Sequence, residues 1–390
     1  MPGYCDNLGG MVISLSMLAR GFIRCNAAEH FQLLVRTDSL MEDYLINKAG
    51  TGAVVKGIPG GRQSDFFIRA MDYVNQFPSS YPLLLENCVS RELMKPLASS
   101  ICHLRRHQRP IYHMFRDQAL SYNPLGNIAR RGIFYLLAPE GFSNSHYTAS
   151  AVEGRLVKKV SKVLYPAVDT DYFNSQPLNS LPPENLRPLL LSGGKILLTA
   201  ARISSPGGVN DKNLMQMPEV LGYLNAAGNH YWWVVMGLDS SPEKRNTQRL
   251  IEKARRCGVE ERFVVLPPTF NIVDYYKSVD CVVTLAPREP FGRTVVEAVA
   301  CGVPVVGFAS GGVGEILKNF APAWTIHTNH PAAASGVISS VLHSIHVGSQ
   351  IAAGQRWIRQ NCSPVSYAHK LMEITNIQSQ ANQLPKKIAA

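Results

Sequence analysis

The sequence predicts an α/β protein built from two doubly wound domains, each with a parallel sheet. Short apolar runs alternate with helix-like stretches along the chain, and this alternation is typical of βαβ units. Fully apolar runs such as residues 196–198 and 303–306 indicate strands that are covered on both faces. With 390 residues, the chain has the length of two domains of roughly 100–200 residues each.

The candidate strands fall into two series separated by a linker. Residues 174–194 are rich in Pro, Asn and Ser and lack periodicity, which indicates a connection between domains. The first series is 31–36, 52–58, 81–86, 110–115, 132–137 and 162–165. The second series is 195–201, 231–236, 263–266, 281–285, 303–308 and 324–327.

This division predicts the domain boundaries. Residues 1–178 form a Rossmann-like N-terminal domain and residues 190–364 a second one, followed by a helix over 365–377 and a loose tail over 378–390. Open parallel sheets bind ligands at the carboxyl ends of their strands. Two such sheets that face a central cleft would place the binding site between the domains.

The start of the chain departs from the usual doubly wound pattern. A buried strand is expected before the first glycine loop, but Gly9-Gly10 follows only eight residues that do not resemble a strand. Either the first N-terminal strand is missing or it lies upstream of Met1. Residues 11–18 predict a core helix and not a signal peptide, because no basic residue precedes them.

Composition narrows the function classes. The net charge is +11, spread over both halves, which suits either an anionic partner or a generally basic surface. Basic and aromatic residues are not interleaved as in a nucleic-acid platform, so no nucleic-acid partner is expected. The eight cysteines form no CxxC pair, which predicts buried, reduced thiols, no metal site and a cytoplasmic protein.

The strongest chemical signal is the segment REPFGRTVVEAVACG, residues 288–302. A strand leads into a glycine-containing loop and then into a helix that begins at about Arg293. The free backbone N–H groups at such a helix start can bind a phosphate group. Glu289 lies in the loop and Glu297 in the helix, where each can accept hydrogen bonds from sugar hydroxyls. A single acidic residue here could instead merely complement the helix dipole.

With seven residues between its two glutamates, this segment resembles the E-x7-E signature of the family 4 glycosyltransferases, which have the GT-B fold. Four further segments resemble motifs of that family in the same order along the chain. They are Gly9-Gly10, residues 163–173 (VLYPAVDTDYF), residues 198–202 followed by Lys212, and residues 311–315 (GGVGE, with Gly314 where the family has proline).

The resemblance implies roles for individual residues. Glu289 would hold hydroxyls of the donor sugar and Glu297 those of the ribose, while Arg202 and Lys212 would neutralise the leaving diphosphate. The Arg202-to-Lys212 spacing is longer than is usual in the family. Donor contacts would come from backbone amides of Phe291, Gly292, Arg293 and Thr294 in a nucleotide-sugar-binding second domain. Gly9 and Gly10 would shape the acceptor side of an acceptor-binding first domain and approach the phosphate, and the helix over 365–377 would cross back to that domain.

The N-terminal domain departs from the family at one position. Arg116 stands where the family commonly has a histidine at a strand end, and Asp117 follows it. Arg116 could contact a sugar, a phosphate or an anionic acceptor. His113, three residues earlier inside the strand, is interpreted as a core histidine.

The resemblance therefore implies a retaining, metal-independent glycosyltransferase without a cofactor. It would use a nucleoside diphosphate sugar and a hydroxyl acceptor that is a glycan, a lipid-linked glycan or a small molecule. The basic runs at 105–109 and 158–162 could dock to an anionic membrane at the inner face or be solvated surface. A nucleotide-sugar epimerase and a non-catalytic nucleotide-sugar-binding protein remain as alternatives.

Overall fold

The computed structural model describes residues 1–3, 10–88, 90–119, 123–208, 211–226, 228 and 230–377. The chain divides into two compact units. Unit 1 comprises Met1–Asp169 together with Asn361–Ala390, and unit 2 comprises Thr170–Gln360. The predicted tail over 378–390 lies outside the described residues.

Unit 1 contains two parallel sheets. A four-stranded sheet has the order β3-β4-β5-β6, and β1 pairs with β2 separately. The strands are β1 (Leu33–Arg36), β2 (Val55–Ile58), β3 (Leu83–Glu86), β4 (Ile111–Phe115), β5 (Glu140–Ser143) and β6 (Val160–Val163). The helices are α1 (Gly10–Arg24), α2 (Leu40–Asp43), α3 (Gln63–Asn75), α4 (Arg91–Arg106), α5 (Pro124–Leu137) and α6 (His146–Val152).

Unit 2 contains a parallel sheet whose six described strands have the order β12-β11-β10-β7-β8-β9. They are β7 (Lys195–Ala200), β8 (Tyr231–Met236), β9 (Phe263–Leu266), β10 (Cys281–Thr284), β11 (Val305–Phe308) and β12 (Thr325–Ile326). This is the strand order of the Rossmann fold, which reverses between β7 and β10. All residues of β11, and all but one residue each of β8 and β10, are buried, which explains why these runs are mostly apolar.

Helices surround the sheet of unit 2. They are α7 (Arg187–Leu191), α8 (Met217–Ala226), α9 (Arg245–Arg256), α10 (Ile272–Tyr276), α11 (Arg293–Ala300), α12 (Gly311–Leu317), α13 (Pro331–Leu342) and α14 (Val347–Asn361). The helix predicted to begin at about Arg293 begins there. The architecture of two parallel-sheet α/β units agrees with the predicted fold class.

A final helix, α15 (Pro364–Ile374), packs in unit 1 against α1. Tyr367, Ala368 and Leu371 are buried in the same apolar cluster as the buried face of α1. The two helices are so close that a β-carbon at Gly21 would lie 2.2 Å from the carbonyl oxygen of Pro364. Unit 1 is therefore built from segments far apart in the sequence.

One predicted strand is wrong. Residues 132–137 belong to α5, and the strand of that βαβ unit follows at β5. Asn123 caps the helix by accepting a hydrogen bond from the Gly126 N–H at 3.2 Å, and Pro124 occupies its first turn. The apolar run suggested a strand because both faces of this helix are apolar near its end. The other predicted strands correspond to observed strands with shifts at their ends.

The first residues pair with β1, although the sequence did not predict a strand there. The Gly3 N–H donates to the Leu34 carbonyl at 2.8 Å, and the Leu34 N–H donates to the Met1 carbonyl at 2.9 Å. Pro2 and Leu34 form a parallel bridge. Of the glycine pair, Gly9 lies outside the described residues, whereas Gly10 begins α1.

The cysteines differ partly from the expectation of burial. All cysteines among the described residues are free thiols, and Cys88, Cys281, Cys301 and Cys362 are buried. Cys102, however, is exposed on α4.

None of the helices in the described ranges combines the length and apolar character needed to span a membrane.

Candidate functional site

The predicted signature segment joins β10 to α11 at the point where the strand order of unit 2 reverses. Gly292 precedes the helix with φ 91°, a conformation that favours glycine. A β-carbon there would lie 2.9 Å from a methyl group of Val313. Phe291 and Gly292 are buried, and Arg293 and Thr294 are half-buried at the helix start. The backbone of this loop is thus fixed by packing and not by side-chain caps.

An ion pair joins the two loops that flank the switch point. Lys212 Nζ lies 2.6 Å from Glu289 Oε2, although the residues are 77 positions apart. Both side chains are mostly buried. Arg288 makes a second connection, since its guanidinium donates to the Gly208 carbonyl at 3.1 Å. The structure therefore brings together two predicted residues, one following β7 and one following β10.

The glycines of α12 support the backbone beneath Glu289. The Gly312 N–H donates to the Glu289 carbonyl at 2.7 Å. A β-carbon at Gly312 would lie 2.5 Å from Cα of Phe291, and Gly311 has φ 74°. At Gly314 a β-carbon would lie 1.8 Å from the Ala309 carbonyl oxygen. This close approach excludes here the proline that the resembled family has at that position.

Glu297 lies in α11 within a buried polar cluster. Its Oε1 accepts from Arg293 Nε at 2.6 Å, and its Oε2 accepts from the Tyr276 hydroxyl at 3.2 Å. Burial raises the pKa of Glu297, while Arg293 and the Tyr276 hydrogen bond lower it in part. Burial also raises the pKa of Tyr276 well above its ordinary value. The carboxylate is therefore held in a fixed orientation by residues from α10 and α11.

Arg202 follows β7 at the same edge of the sheet as the loop of Glu289, since β7 and β10 are paired neighbours. Hydrogen bonds from the Ala201 and Ile203 N–H groups to Met236 and Leu238 fix its backbone. Its side chain is exposed. Among the described residues, no hydrogen-bond or ion-pair partner of its guanidinium is observed. Arg202 is thus a cation available to an anionic ligand.

Two of the predicted acceptor-side residues, Arg116 and Asp117, directly follow β4 in unit 1. The buried Arg116 guanidinium pairs with the carboxylate of Glu86 and donates to the Tyr367 hydroxyl at 2.9 Å. Asp117 accepts from Asn87 Nδ2 at 3.1 Å and from the Ala119 N–H at 2.7 Å. Arg116 therefore connects the sheet to α15. Gly10, by contrast, is exposed.

His113 is the core histidine that the sequence predicted. It is fully buried in β4, and its Nε2 accepts from the Cys88 N–H at 3.1 Å. Its ring packs against Phe115 and Phe134. Burial lowers its pKa from 6.5 to about 3, so the ring is neutral.

In the parts of the chain that are described, no cluster of three or more His, Cys, Asp or Glu residues is arranged to hold a metal ion.

Most of unit 2 matches a known protein family. Residues 190–357 match the family described as glycosyl transferases group 1. The matched region contains Arg202, Lys212, Glu289 and Glu297. Over this region the chain is therefore similar to the glycosyl transferases of group 1.

Individual relatives align with this chain over short regions. The D-inositol 3-phosphate glycosyltransferase of Xylanimonas cellulosilytica is 31% identical over 125 residues, which are 32% of this chain and 30% of that protein. The enzyme of the same name from Mycolicibacterium gilvum is 31% identical over 110 residues, 28% of this chain and 25% of that protein. The alignments thus span less than a third of the length of these relatives.

Solved structures with the GT-B fold match nearly the whole chain. Anabaena HepE in complex with UDP-glucose has a TM-score of 0.74 at 17% identity, covering 96% of this chain and 98% of that one. A glycosyltransferase from Rickettsia africae has a TM-score of 0.72 at 16% identity, covering 97% and 96%. At these identities the likeness establishes the fold, which is GT-B.

Sequence reasoning missed one partner of a predicted site residue in each unit. Tyr276 and Glu86 orient Glu297 and Arg116, yet each belongs to a different element from its partner. Tyr276 ends an apparently ordinary apolar helix, and Glu86 ends a strand. Their spacing along the chain carries no signal, because the contacts depend on how the elements pack.

Proposed function

We propose that this protein is a retaining glycosyltransferase that moves a sugar from a nucleoside diphosphate sugar to a hydroxyl acceptor. The observation that carries the proposal is the Lys212–Glu289 pair beside the start of α11. Ligands of doubly wound sheets bind where the strand order reverses, and both residues follow strands at that point. The names of the relatives and the UDP-glucose complex of HepE support a nucleotide-sugar donor.

The proposed donor site stabilises the leaving diphosphate. Cleavage of the sugar–phosphate bond builds negative charge on the leaving oxygen. Backbone amides at the start of α11, the exposed Arg202 and the Lys212 ammonium would each stabilise that charge. Donor binding would exchange the Lys212–Glu289 ion pair for two new contacts, in which Lys212 binds phosphate and Glu289 accepts from sugar hydroxyls. Arg202 could bind the phosphate directly, whereas Lys212 must first separate from Glu289.

The proposed ribose site is the carboxylate of Glu297. Each of its oxygens already accepts one hydrogen bond, from Arg293 or Tyr276. Because a carboxylate oxygen has a second lone pair, both can still accept from the ribose hydroxyls. Orientation by two side chains reduces the entropy that a mobile carboxylate would lose on binding.

The proposed reaction keeps the configuration of the sugar. The bond from the anomeric carbon to the phosphate oxygen breaks, and a bond to the acceptor oxygen forms on the same face. The acceptor proton passes to the leaving phosphate, which departs as nucleoside diphosphate. The protein's cations supply the charge stabilisation, so we expect activity to persist in EDTA. The acceptor would be a glycan, a lipid-linked glycan or a small molecule bound by unit 1.

Nucleotide release tests the proposal. The wild-type protein is incubated with UDP-, GDP- and ADP-glucose and a panel of sugar, inositol phosphate and lipid-linked acceptors. We expect acceptor-dependent release of one nucleoside diphosphate and an NMR spectrum that shows the donor's anomeric configuration in the product. Glu289→Ala and Lys212→Met are expected to lower kcat/KM by about 10²-fold or more.

A matched control separates catalysis from the loss of any ion pair. Lys195 pairs with Asp280 at 2.8 Å in the same unit, but at the opposite end of β7. Lys195→Met should keep wild-type kcat/KM, and all variants should keep the wild-type melting temperature within a few degrees. Wild-type turnover by Glu289→Ala would disprove its role. An epimerised donor without acceptor indicates an epimerase, and donor binding without nucleotide release indicates a binding protein.

A further inference from the structure

Three hydrogen-bonded residues with side-chain amides lie beside Lys212 in unit 2. Asn213 Nδ2 donates to Gln216 Oε1 at 2.8 Å and to Asn329 Oδ1 at 3.0 Å. Gln216 Nε2 donates to the Asn329 carbonyl at 3.2 Å. Asn213 and Gln216 follow β7, whereas Asn329 follows β12. We call these three residues the amide cluster. It connects the loop that carries Lys212 to a residue 116 positions away from Asn213.

The backbone at Asn213 is left-handed, with φ 54° and ψ 33°. Asparagine is one of the few residues with a β-carbon that adopt this conformation. The Asn213 N–H donates to Asp211 Oδ1 at 2.8 Å, and the Gly207 N–H donates to Asp211 Oδ2 at 2.6 Å. Lys212 therefore lies between two residues that are each held by hydrogen bonds, Asp211 by its carboxylate and Asn213 by the amide cluster.

The loop after β7 needs such an anchor because it is long. Nine residues separate Arg202 from Lys212, and an ammonium group on a mobile loop would lose conformational freedom when it binds a ligand. Leu214, which begins the short helical turn before α8, is buried. The chain after Asn213 is thus fixed in the core of unit 2, and the amide cluster extends this anchor to the residue next to Lys212.

We propose that Asn213 is a positioning residue for Lys212 in the donor site, an inference that rests on the proposed function. In the free protein Lys212 Nζ lies 2.6 Å from Glu289 Oε2. With its backbone held, the Lys212 ammonium can exchange this carboxylate for a diphosphate by rotation of its side chain, without movement of the loop. Asn213 acts through Lys212, because its own amide donates to Gln216 and Asn329.

Titration calorimetry with UDP, GDP and ADP tests the proposal without requiring turnover. Asn213→Gly removes the amide but keeps the backbone conformation, which glycine adopts freely. Asn329→Ala removes the Asn213–Asn329 hydrogen bond from the other side. We expect each variant to raise the Kd of the preferred nucleoside diphosphate about fivefold. The double variant should raise it about as much as Asn213→Gly alone, since both changes remove the same contact.

The Lys212→Met background separates positioning from a general structural role. Lys212→Met should raise the Kd about tenfold or more. In that background Asn213→Gly should have no further effect, because no ammonium is left to position. A purely structural role would instead weaken binding equally in both backgrounds. With an acceptor that supports transfer, kcat/KM should follow the same pattern.

Asn26→Gly is the matched control. Asn26 also has a left-handed backbone, with φ 52°, and is exposed in unit 1, so this variant should bind nucleotide as the wild type does. Circular dichroism should show wild-type folding for every variant.

The proposal is overturned if Asn213→Gly and Asn329→Ala bind the diphosphate as the wild type does. It is also overturned if Asn213→Gly weakens binding equally with and without Lys212. A wild type that binds none of the three diphosphates overturns it together with the proposed function. Diphosphate binding without transfer contradicts the proposed reaction alone, because the comparison of variants depends only on binding.

Discussion

His113 is an example of a titratable residue whose contribution to stability depends on pH. In unit 1 it is fully buried, and the Nε2 of its ring accepts a hydrogen bond from the Cys88 N–H. The unfolded chain has a histidine of ordinary pKa, 6.5, whereas burial lowers the pKa in the folded protein to about 3. The folded state therefore binds this proton much more weakly than the unfolded state.

We predict that unit 1 loses stability between pH 6.5 and pH 3. Above pH 6.5 the ring is neutral in both states, so its contribution is fully present. As the pH falls below 6.5 the unfolded state takes up a proton first, which at pH 5 costs about 2 kcal/mol of unfolding free energy. Denaturant unfolding followed by far-UV circular dichroism at pH 7.5 and pH 5 measures this loss.

Two variants identify the residue responsible. His113→Gln should lose less stability on acidification than the wild type does, although it is less stable at neutral pH. His343 is exposed, and His343→Gln should retain the wild-type loss. An equal pH dependence of the wild type and His113→Gln would show that other groups cause the acid destabilisation.

At the residue scale, the sequence predicted where candidate site residues lie along the elements but not which side chains they contact. Glu289 and Glu297 could be placed because a strand, a glycine loop and a helix start have local signals. The Lys212–Glu289 pair could not be predicted, because its two residues are 77 positions apart and meet only through strand order. The Arg116–Glu86 pair is a similar case: the sequence suggested a sugar, a phosphate or an anionic acceptor as contacts of Arg116, and it gave no sign of the buried Glu86 carboxylate with which Arg116 pairs.

At the scale of elements, α12 determines where the β10–α11 loop lies. Gly312 contacts the backbone of that loop directly, so the position of Glu289 depends on the absence of a side chain one element away.

The predicted elements of unit 2 were accurate because each buried strand has a continuous apolar run. In unit 1 the end of α5 was mistaken for a strand, because its exposed Tyr135 and Leu136 lie between the buried Phe134 and Leu137 and hide the helical period.

We predict that Gly312→Ala impairs the proposed transfer reaction. The new methyl group would lie 2.5 Å from Cα of Phe291, so the loop must shift and carry Glu289 with it. A displacement of this size is expected to lower kcat/KM by about tenfold or more. Steady-state kinetics with the preferred donor measures the effect.

Gly336→Ala is the matched control for this change. Gly336 lies in α13, where a β-carbon would have open space, and alanine favours helix formation over glycine. This variant should keep wild-type kinetics and gain slightly in stability. If Gly312→Ala folds normally and also has wild-type kinetics, α12 does not position Glu289.

At the scale of the whole molecule, unit 1 depends on a helix that follows unit 2 in the sequence. Leu371 of α15 is buried against α1, whereas Val365 of the same helix is 37% exposed. The sequence predicted a helix here, but the tight contact at Gly21 could not be read from it. Only packing shows that a β-carbon there would meet Pro364.

We predict that Leu371→Ala destabilises unit 1 selectively. Removing a buried leucine side chain costs about 2–5 kcal/mol, while Val365→Ala should change stability by about 0.5 kcal/mol or less. The four tryptophans are Trp232, Trp233, Trp324 and Trp357, all in unit 2. Far-UV circular dichroism should therefore show an earlier transition that tryptophan fluorescence does not follow. Equal shifts in both signals would contradict a selective effect.

The position of α15 also sets the order in which the units can fold during translation. Unit 2 is a continuous stretch, so it can fold as soon as residue 360 has left the ribosome. The first 169 residues are synthesised earlier, but the part of the apolar surface of α1 that α15 covers stays without that partner until α15 emerges. The part of the protein that is made first is thus completed last, and its exposed α1 surface is where chaperones would bind nascent chains.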